Sequence, residues 1–263
     1  MALSDALRPD WPAPAGITAL MSTRAGGVSA APFDSLNLRP PELGGDAVDD
    51  PEAVRENQRR FAQALGAQPV WLNQVHGSGV VRLSADHLRP GQPLPVADAS
   101  VCTEPGMACT VLVADCLPVL LCSIDGKAVA AAHAGWRGLA GGVVDNAVAA
   151  LCEAAACGPA EVLAWLGPCI GARAFEVGAD VLQAFGVDSA APDGGLFRPS
   201  PRPDGSLRWR ADLVGLARAR LAALGVGQVS GGAWCTFEDA SRFFSFRRAP
   251  RTGRMAAAIA LRG

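Results

Sequence analysis

Three residues of the chain, His76, Cys116 and His133, carry side chains that bind soft metals or perform nucleophilic catalysis. Zinc and copper accept a cysteine thiolate and imidazoles as ligands, and a thiol beside an imidazole also forms the nucleophile and base of cysteine hydrolases. The three residues are much further apart in sequence than the ligands of a zinc finger. The fold must therefore bring them together. Three protein ligands that leave a fourth position free are typical of catalytic zinc, which activates water or polarises a leaving group.

Short apolar runs precede or contain all three residues. Runs of this length, rich in Val and bounded by polar or Gly-containing breaks, are typical of buried strands, although a buried helix is the alternative. A strand end holds a side chain on a rigid scaffold. The sequence therefore predicts that Cys116 and His133 lie at strand ends and that His76 follows a further strand. The runs are residues 69–72, 108–114, 118–122 and 128–132.

Two polar residues beside the trio are candidates for catalysis. Asp115 directly precedes Cys116, and its carboxylate would act as a general base or orient a metal-binding histidine. The alternative for Asp115 is a turn cap at a strand end. Arg137 stands just before a predicted helix, residues 139–156, whose first amides could face an anionic group together with this guanidinium.

A second candidate anion site follows the predicted first strand, residues 16–22. Residues 22–29 contain Arg24, several hydroxyls and the pair Gly26-Gly27. Backbone amides and a guanidinium in such a turn would bind an oxyanion. The alternative is a surface turn with a solvated arginine.

The remaining pattern predicts a mixture of helices and strands. An N-cap at Asp50 and a first-turn Pro51 predict a helix that continues over residues 52–65. Residues 178–185 and 210–224 are further predicted helices. Residues 161–166 and 255–261 are predicted strands, and residues 40–50 and 189–208 are predicted loops because they are rich in Pro, Gly and Asp.

Length and charge limit the functions to be considered. The chain of 263 residues can bury a sizeable core, and one domain is preferred. A net charge of −2 argues against a large nucleic-acid surface and favours a small-molecule partner. No apolar run approaches the ~20 residues that cross a bilayer. Residues 1–9 lack the basic start and apolar core of a secretory signal, so a cytoplasmic location is expected.

The eight cysteines do not suggest a disulfide framework. Most of them lie in apolar surroundings, and a chain of this size does not need covalent stabilisation. The sequence also lacks a Cys-x-x-Cys pair, which disfavours a thioredoxin-like motif or a zinc ribbon.

Eight stretches in this order resemble a known family. They are residues 22–29, 35–38, 56–57, 74–77, 114–120, 132–138, 167–171 and 243–248, and they include Gln74-Val75-His76-Gly77 and Ala114-Asp115-Cys116-Leu117-Pro118. Together they resemble the YfiH-like family, also called the laccase-domain or multicopper polyphenol oxidoreductase family. Members of this family are also described as purine nucleoside phosphorylases.

The resemblance implies a fold and an activity. The implied fold is one α+β domain over residues 1–263, with mixed β-sheets flanked by helices and a relationship to cysteine-hydrolase-like folds; residues 1–15 are expected to be irregular. The implied metal ligands are His76, Cys116 and His133, with zinc expected and copper as the alternative. The implied reactions are phosphorolysis of adenosine, inosine and methylthioadenosine to the base and a sugar 1-phosphate, and hydrolytic deamination of adenosine.

Within this hypothesis, Asp115 and Arg137 are expected to be catalytic, whereas Arg24 and Asn37 are expected to bind substrate. The expected partners are a purine nucleoside and phosphate, without a nucleic acid polymer or a membrane, and the expected oligomeric state is a monomer. The chain also departs from the family. Residues 39–50 lack a histidine that is common there, and Phe175 and Phe246 replace frequent tyrosines, which alters the expected rim of the pocket.

Other functions stay open from the sequence alone. A copper-dependent polyphenol oxidase would use the same ligands, but three histidines are too few for a site with several coppers. A metal-free cysteine hydrolase would use Cys116 as the nucleophile and His133 as the base. A metal-binding or scaffold protein without catalysis is the third alternative.

Overall fold

The computed structural model describes residues 3–45, 48–190 and 195–263, and these residues form thirteen strands and five α-helices. The strands are β1 (Ile17–Met21), β2 (Gln68–Val70), β3 (Val80–Arg82), β4 (Ala99–Cys102), β5 (Met107–Val113), β6 (Leu117–Ser123), β7 (Val129–Ala134), β8 (Val162–Leu166), β9 (Glu176–Val177), β10 (Phe197–Pro199), β11 (Trp209–Ala211), β12 (Gln228–Gly231) and β13 (Met255–Leu261). The helices are α1 (Pro51–Leu65), α2 (Trp136–Ala140), α3 (Val143–Ala155), α4 (Ala179–Ala184) and α5 (Leu213–Ala223).

Strands β1 and β13 belong to a four-stranded sheet, whose order is β1-β13-β5-β2. Its neighbours are antiparallel except for the parallel pair β2 and β5. Side chains alternate across each strand, so one face of this sheet buries Leu20 and Leu112 against Phe61 of α1. Helix α1 begins where the Asp50 side chain accepts a hydrogen bond from the Glu52 amide, and it ends at Gly66, as the sequence predicts.

A six-stranded sheet packs against the other face of the four-stranded sheet. Its order is β12-β8-β6-β7-β4-β3, with both parallel and antiparallel neighbours. In β6, Leu120 and Cys122 face the four-stranded sheet, whereas Val119 and Leu121 face the core under α3. The small sheet β10-β11-β9 joins that second core with α4 and α5. The predicted α+β fold, with mixed sheets flanked by helices, is confirmed.

Of the chain segments that cross from one of these sheets to the other, two carry candidate site residues. Ala114, Asp115 and Cys116 connect β5 of the four-stranded sheet to β6 of the six-stranded sheet. His76 lies between β2 and β3, which also belong to different sheets. These crossings place both residues at one end of the stacked sheets, beside the end of β7.

Several predicted boundaries were wrong. The predicted helix over residues 139–156 is two helices, because Gly141 and Gly142 interrupt it and Gly142 adopts the left-handed region with φ +88°. Trp136 and Arg137 therefore lie inside α2 rather than before a helix. The predicted helix over residues 210–224 starts as strand β11, which pairs with β10 and β9, and α5 begins only at Leu213.

The two predicted loops extend beyond the described residues. Residues 46–47 of the loop over 40–50 and residues 191–194 of the loop over 189–208 lie outside them. The second loop also contains strand β10, which pairing with β11 creates. In the described part of the chain, no helix combines the length and the apolar character needed to cross a bilayer.

Candidate metal centre and its cavity

His76, Cys116 and His133 converge at the end of the two stacked sheets. One ligand atom from each residue lies within 4.8 Å of those of the other two, and His76 Nε2 lies 3.8 Å from Cys116 Sγ. Bonds of about 2.0–2.3 Å to a tetrahedral zinc ion place neighbouring ligand atoms about 3.5 Å apart. The arrangement therefore fits one ion with three protein ligands, and it is the cluster that the sequence predicts.

The backbone around two of these residues adopts an uncommon conformation. His76 has φ +59°, and Asp115, which precedes Cys116, has φ +96°. Side chains other than glycine rarely occupy this left-handed region, and such residues concentrate at functional sites. His133 instead belongs to regular strand structure in β7, one residue before its end.

Asp98 holds the two histidines in place. Its buried carboxylate accepts a hydrogen bond of 2.8 Å from His133 Nδ1, which leaves the Nε2 atom of that ring for the cluster. The same carboxylate accepts hydrogen bonds from the amides of Val75, His76 and Gly77, at 3.1, 2.9 and 2.7 Å. Burial opposes ionisation, but the hydrogen bonds from His133 and these amides outweigh it and lower the pKa of Asp98.

Asp98 was not predicted as a site residue from the sequence. Asp115 was the residue proposed either as a general base or to orient a histidine, whereas the carboxylate that contacts His133 is that of Asp98. The available signal was an acidic residue immediately before the buried strand β4, in the sequence Ala97-Asp98-Ala99. A carboxylate at such a position requires a buried partner, and here that partner is a histidine.

The thiol of Cys116 and the imidazole of His133 form a charge-coupled pair. Burial disfavours the charged form of each group. The attraction between a thiolate and an imidazolium outweighs this effect, so the pKa of Cys116 is lowered and that of His133 is raised. A thiolate near neutral pH suits a metal ligand, and it also suits a nucleophile.

Helix α2 closes the cluster from one side and leaves little space. A Cβ atom added to Gly135, which precedes the helix, would lie 2.9 Å from Cys116 Sγ and 3.1 Å from His76 Cδ2. A Cβ atom at Gly138 would lie 2.9 Å from the Gly77 carbonyl oxygen. These two glycines therefore allow the helix backbone to approach the segment that carries His76.

The cluster faces a cavity of about 510 Å³, a volume typical of sites for small molecules. Phe175 and Phe246 contribute aromatic surface to its wall. Both residues were noted in the sequence as replacements for tyrosines. Four arginines also line the cavity, namely Arg39, Arg137, Arg247 and Arg254.

Two of the four further residues predicted for the site line this cavity. Arg137 does so, with its guanidinium 4.3 Å from the centre of the Trp136 ring. Asp115 also lines it, but its carboxylate accepts hydrogen bonds from Thr236 Oγ1, Ser245 Oγ and the Arg247 amide, at 2.6, 3.1 and 2.7 Å. Asp115 therefore joins the cavity wall to the segment around Arg247.

Arg24 and Asn37, the other two predicted residues, lie outside the cavity wall. The Arg24 guanidinium donates to Asp34 and to the Ala240 carbonyl oxygen, and it stacks over the Phe244 ring. Asn37 is buried, and its side-chain oxygen accepts from the amides of Arg39 and Arg254. Arg39 and Arg254 were not predicted as site residues, because nothing local to them marks the cavity. Arg247 belongs to the family-like stretch 243–248 but was given no role in the site.

Comparison with known proteins identifies relatives over almost the whole chain. Residues 18–262 match the family described as multi-copper polyphenol oxidoreductase laccase. A Pseudomonas aeruginosa protein named purine nucleoside phosphorylase is 52% identical over 253 residues, which are 96% of this chain and 97% of the relative. The Escherichia coli purine nucleoside phosphorylase YfiH is 44% identical, over 98% of this chain and 99% of the relative.

Solved structures give the same result. A crystal structure of a Neisseria meningitidis protein aligns with a TM-score of 0.85 and 47% identity, covering 99% of this chain and 100% of that protein. The structure of YlmD from Geobacillus stearothermophilus aligns with a TM-score of 0.81 and 29% identity, covering 95% and 93%. The predicted family is confirmed, and the chain belongs to the YfiH-like family, described as multi-copper polyphenol oxidoreductase laccase.

Proposed function

We propose that the chain is a purine nucleoside phosphorylase that acts on adenosine, inosine and methylthioadenosine and also deaminates adenosine. The observation that carries the proposal is the position of the His76–Cys116–His133 cluster, which opens into a cavity of about 510 Å³ lined with arginines. Relatives named purine nucleoside phosphorylase, at 52% and 44% identity, support it.

His76, Cys116 and His133 would hold the metal, which we propose to be zinc, with copper as the alternative. A divalent ion in this set would act as a Lewis acid toward an oxygen or nitrogen of the substrate. Asp98 keeps the His133 ring in the tautomer that presents Nε2 to the cluster. Helix α2 excludes bulk water from the side of the cluster that faces Gly135.

The cavity wall offers separate surfaces for the parts of a nucleoside and for phosphate. A purine ring would stack on the aromatic surface of Phe175 and Phe246. In phosphorolysis a phosphate oxygen bonds to C1′ of the ribose while the bond from C1′ to the base breaks. Guanidinium groups on the wall would neutralise the phosphate and hold it for that attack.

We propose that Arg137 is catalytic and positions the phosphate or the ribose, because its guanidinium is exposed on the cavity wall beside the end of β7. Asp115 is proposed to act as a positioning residue, through its hydrogen bond to the Arg247 amide. The role of Arg24 in phosphate binding also stays a proposal. Its guanidinium is held by Asp34 and Ala240 outside the cavity. Unchanged phosphate dependence of an Arg24→Ala protein would remove that role.

Product analysis with adenosine tests the proposed function. Protein of measured metal content is incubated with adenosine, with and without phosphate, and a Cys116→Ser protein purified in the same way reports background activity. Adenine that appears only with phosphate demonstrates phosphorolysis, and inosine formed without phosphate demonstrates deamination. Tight nucleoside binding without either product would contradict the proposal and favour the non-catalytic alternative.

One observation favours a second candidate function. Cys116, His133 and Asp98 form a continuous thiol, imidazole and carboxylate series, as a metal-free cysteine hydrolase requires. Activity that survives thorough chelation and is lost after alkylation of the thiol would support this candidate. The copper-dependent polyphenol oxidase is tested separately, by metal analysis of protein grown without added copper and by oxygen uptake on a phenol.

We also propose a location, a domain organisation and an oligomeric state for the enzyme. All eight cysteines are free, which agrees with the reducing cytoplasm. We propose that residues 1–263 act as one enzyme domain and as a monomer, because one chain supplies all three candidate ligands and the cavity wall. The proposed partners are a nucleoside and phosphate, without a nucleic acid polymer or a membrane.

A further inference from the structure

Arg39 and Arg254 stand side by side in the cavity wall, although they come from opposite ends of the chain. Among residues 3–45, 48–190 and 195–263, each guanidinium donates to backbone carbonyl oxygens only: Arg39 to that of Leu43, and Arg254 to those of Thr252 and Gly253. In the same residues, no carboxylate lies within ion-pair distance of either guanidinium. Asp115 and the Cys116 thiolate favour the charged form of Arg254, but neither group forms an ion pair with it, so two positive charges share one wall without an ion-pair partner in the described chain.

The environment makes this pairing costly for the protein alone. Burial lowers the pKa of Arg254, and the neighbouring charge of Arg39 lowers it further. Burial also lowers the pKa of Arg39. Two half-buried like charges destabilise the folded chain unless an anion compensates them, so the arrangement indicates an anionic ligand.

Asn37 fixes the distance between the two arginines. Its side-chain oxygen accepts hydrogen bonds from the Arg39 amide at 3.2 Å and from the Arg254 amide at 2.9 Å. Its side-chain nitrogen donates to Asp49, and the Leu38 amide donates to the Arg254 carbonyl oxygen. A single buried amide group therefore joins the segment after β1 to the start of β13.

We propose that Arg39 and Arg254 form the phosphate subsite of the cavity, and that Asn37 is the positioning residue that sets their spacing. The inference deepens the proposed function and rests on it. Two planar guanidinium groups offer paired N–H donors that match the oxygens of inorganic phosphate. The Arg254 guanidinium also lies over the Phe246 ring, 5.8 Å from the ring centre, and this contact supports the arginine side chain.

Steady-state kinetics with saturating inosine and varied inorganic phosphate test the subsite. The variants are Arg39→Met and Arg254→Met, which remove the charge and keep an unbranched apolar stem. The control is Arg55→Met, because Arg55 is exposed on α1 and paired with Glu52 away from the cavity. We expect the KM for phosphate to rise about tenfold or more in each test variant, as for a lost hydrogen bond to a charged group, and to stay unchanged in the control.

Two further measurements separate the possible outcomes. Arg39→Lys and Arg254→Lys proteins, which keep the charge, should fall between wild type and the methionine variants, and they replace any methionine variant that does not fold. An Asn37→Ala protein should raise the KM for phosphate while the KM for inosine stays unchanged, which a general loss of structure would not produce. An unchanged KM for phosphate in the arginine variants overturns the subsite.

Calorimetric titration of the metal-loaded protein with inorganic phosphate distinguishes failure of the subsite from failure of the proposed function. Wild-type protein that lacks phosphorolysis, but binds phosphate in a manner that depends on Arg39 and Arg254, would overturn the reaction and keep the subsite. Phosphorolysis by wild type together with equal phosphate binding by all variants would keep the reaction and overturn the subsite.

Discussion

Asp98 connects the two histidines of the cluster, one through its ring and the other through its backbone. The carboxylate accepts from His133 Nδ1 and from the His76 amide, so a single buried residue determines both the direction of one ligand and the course of the other ligand's loop. The partners of metal-binding histidines are therefore as informative about a site as the ligands themselves.

An Asp98→Asn protein should bind zinc about 10–100-fold more weakly than wild type. The amide keeps the size of the side chain but loses the charge, and its NH₂ group cannot replace an accepting oxygen. Oδ1 of Asp98 serves His133 and the His76 amide, and Oδ2 serves the amides of Val75 and Gly77, so one of these two sets loses its acceptor. Competition with a chromophoric chelator measures the affinity. Asp86→Asn, at an exposed position, serves as the control, and equal affinities of all three proteins would contradict the role of Asp98.

A Gly135→Ala protein should lose bound metal while it remains folded. The new methyl group would lie 2.9 Å from Cys116 Sγ, a distance that forces the thiolate or the helix to move. Metal content per chain, measured by mass spectrometry of the purified protein, checks this expectation. In a Gly227→Ala protein the added Cβ atom meets no atom within 4 Å, so that protein should keep full metal content.

The thiol of Cys116 should react with iodoacetamide at lower pH than an ordinary cysteine when the metal is removed. Burial raises the pKa of the Cys116 thiol, but the neighbouring His133 and His76 lower this pKa by more. The thiolate therefore persists at pH values below the ordinary cysteine pKa of about 8.5, and it is protonated only as the pH falls through the lowered pKa. Peptide mapping after alkylation at several pH values gives the midpoint. Cys152, whose pKa is raised to about 11, provides an internal comparison, and rebound zinc should protect Cys116.

At the scale of elements, α1 carries a buried polar residue that ties the N-terminal segment to the helix. The Asn57 side chain accepts from the Val28 amide and donates to Ser29 Oγ and to the carbonyl oxygens of Ser35 and Asn37. It therefore supports the same Asn37 that joins Arg39 to Arg254. A helix residue far from the cavity contributes in this way to the shape of its wall.

Replacement of Asn57 by alanine should lower the free energy of unfolding by about 3 kcal/mol, because it leaves the Val28 amide and the Asn37 carbonyl oxygen without this partner. The gain in helix propensity from alanine is smaller than this loss. Urea denaturation followed by circular dichroism measures the change. Gln63→Ala, at an exposed position of the same helix, should change stability by less than about 0.5 kcal/mol. An equally small change in both variants would show that the hydrogen bonds of Asn57 do not stabilise the fold.

Elements with a strong apolar pattern could be predicted from the sequence, whereas elements created by pairing could not. The run that forms β5 is buried at every position and apolar except at Thr110, since both of its faces are covered. In contrast, β11 is three residues long and exists because β10 and β9 pair with it. Similarly, Ala-rich sequence around Gly141 and Gly142 indicates one helix, although two consecutive glycines permit the turn between α2 and α3.

At the scale of the whole molecule, the cluster joins the two stacked sheets. Cys116 and His76 lie on two of the segments that cross between them, and His133 lies near the end of a central strand of the six-stranded sheet. A bound ion would therefore add a link between segments that Asp98 and the pairing of β6 with β7 already connect. Its free energy of binding adds to the stability of the folded state.

Chelation should consequently lower the melting temperature of the protein. Metal at about 1,000 times its Kd adds about 4 kcal/mol to stability, and each kcal/mol shifts Tm by roughly 2–4 °C in a chain of this size. The expected shift is therefore roughly 8–16 °C. Differential scanning calorimetry, with and without a chelator, gives the shift. A Cys116→Ser protein should melt at nearly the same temperature in both conditions. Equal shifts in both proteins would place the effect of the chelator elsewhere.

The site itself could be predicted only in part. Histidine is rare in this chain, with three residues in total, so His76, Cys116 and His133 could be proposed from chemistry and family resemblance. The wall of the cavity could not, because Arg39 and Arg254 meet only through the pairing of β1 with β13 and through the amide of Asn37. Arg24 and its Gly-rich turn resemble an anion site locally, yet Asp34 and Ala240 occupy that guanidinium.

Strand β13 lies between β1 and β5, with every residue buried, although both of those strands precede it in the sequence. A nascent chain that ends at residue 254 already carries all three candidate ligands, but β1 and β5 then have open edges toward each other. Translation that stops before β13 would thus yield a product prone to aggregation and proteolysis rather than a partly active enzyme.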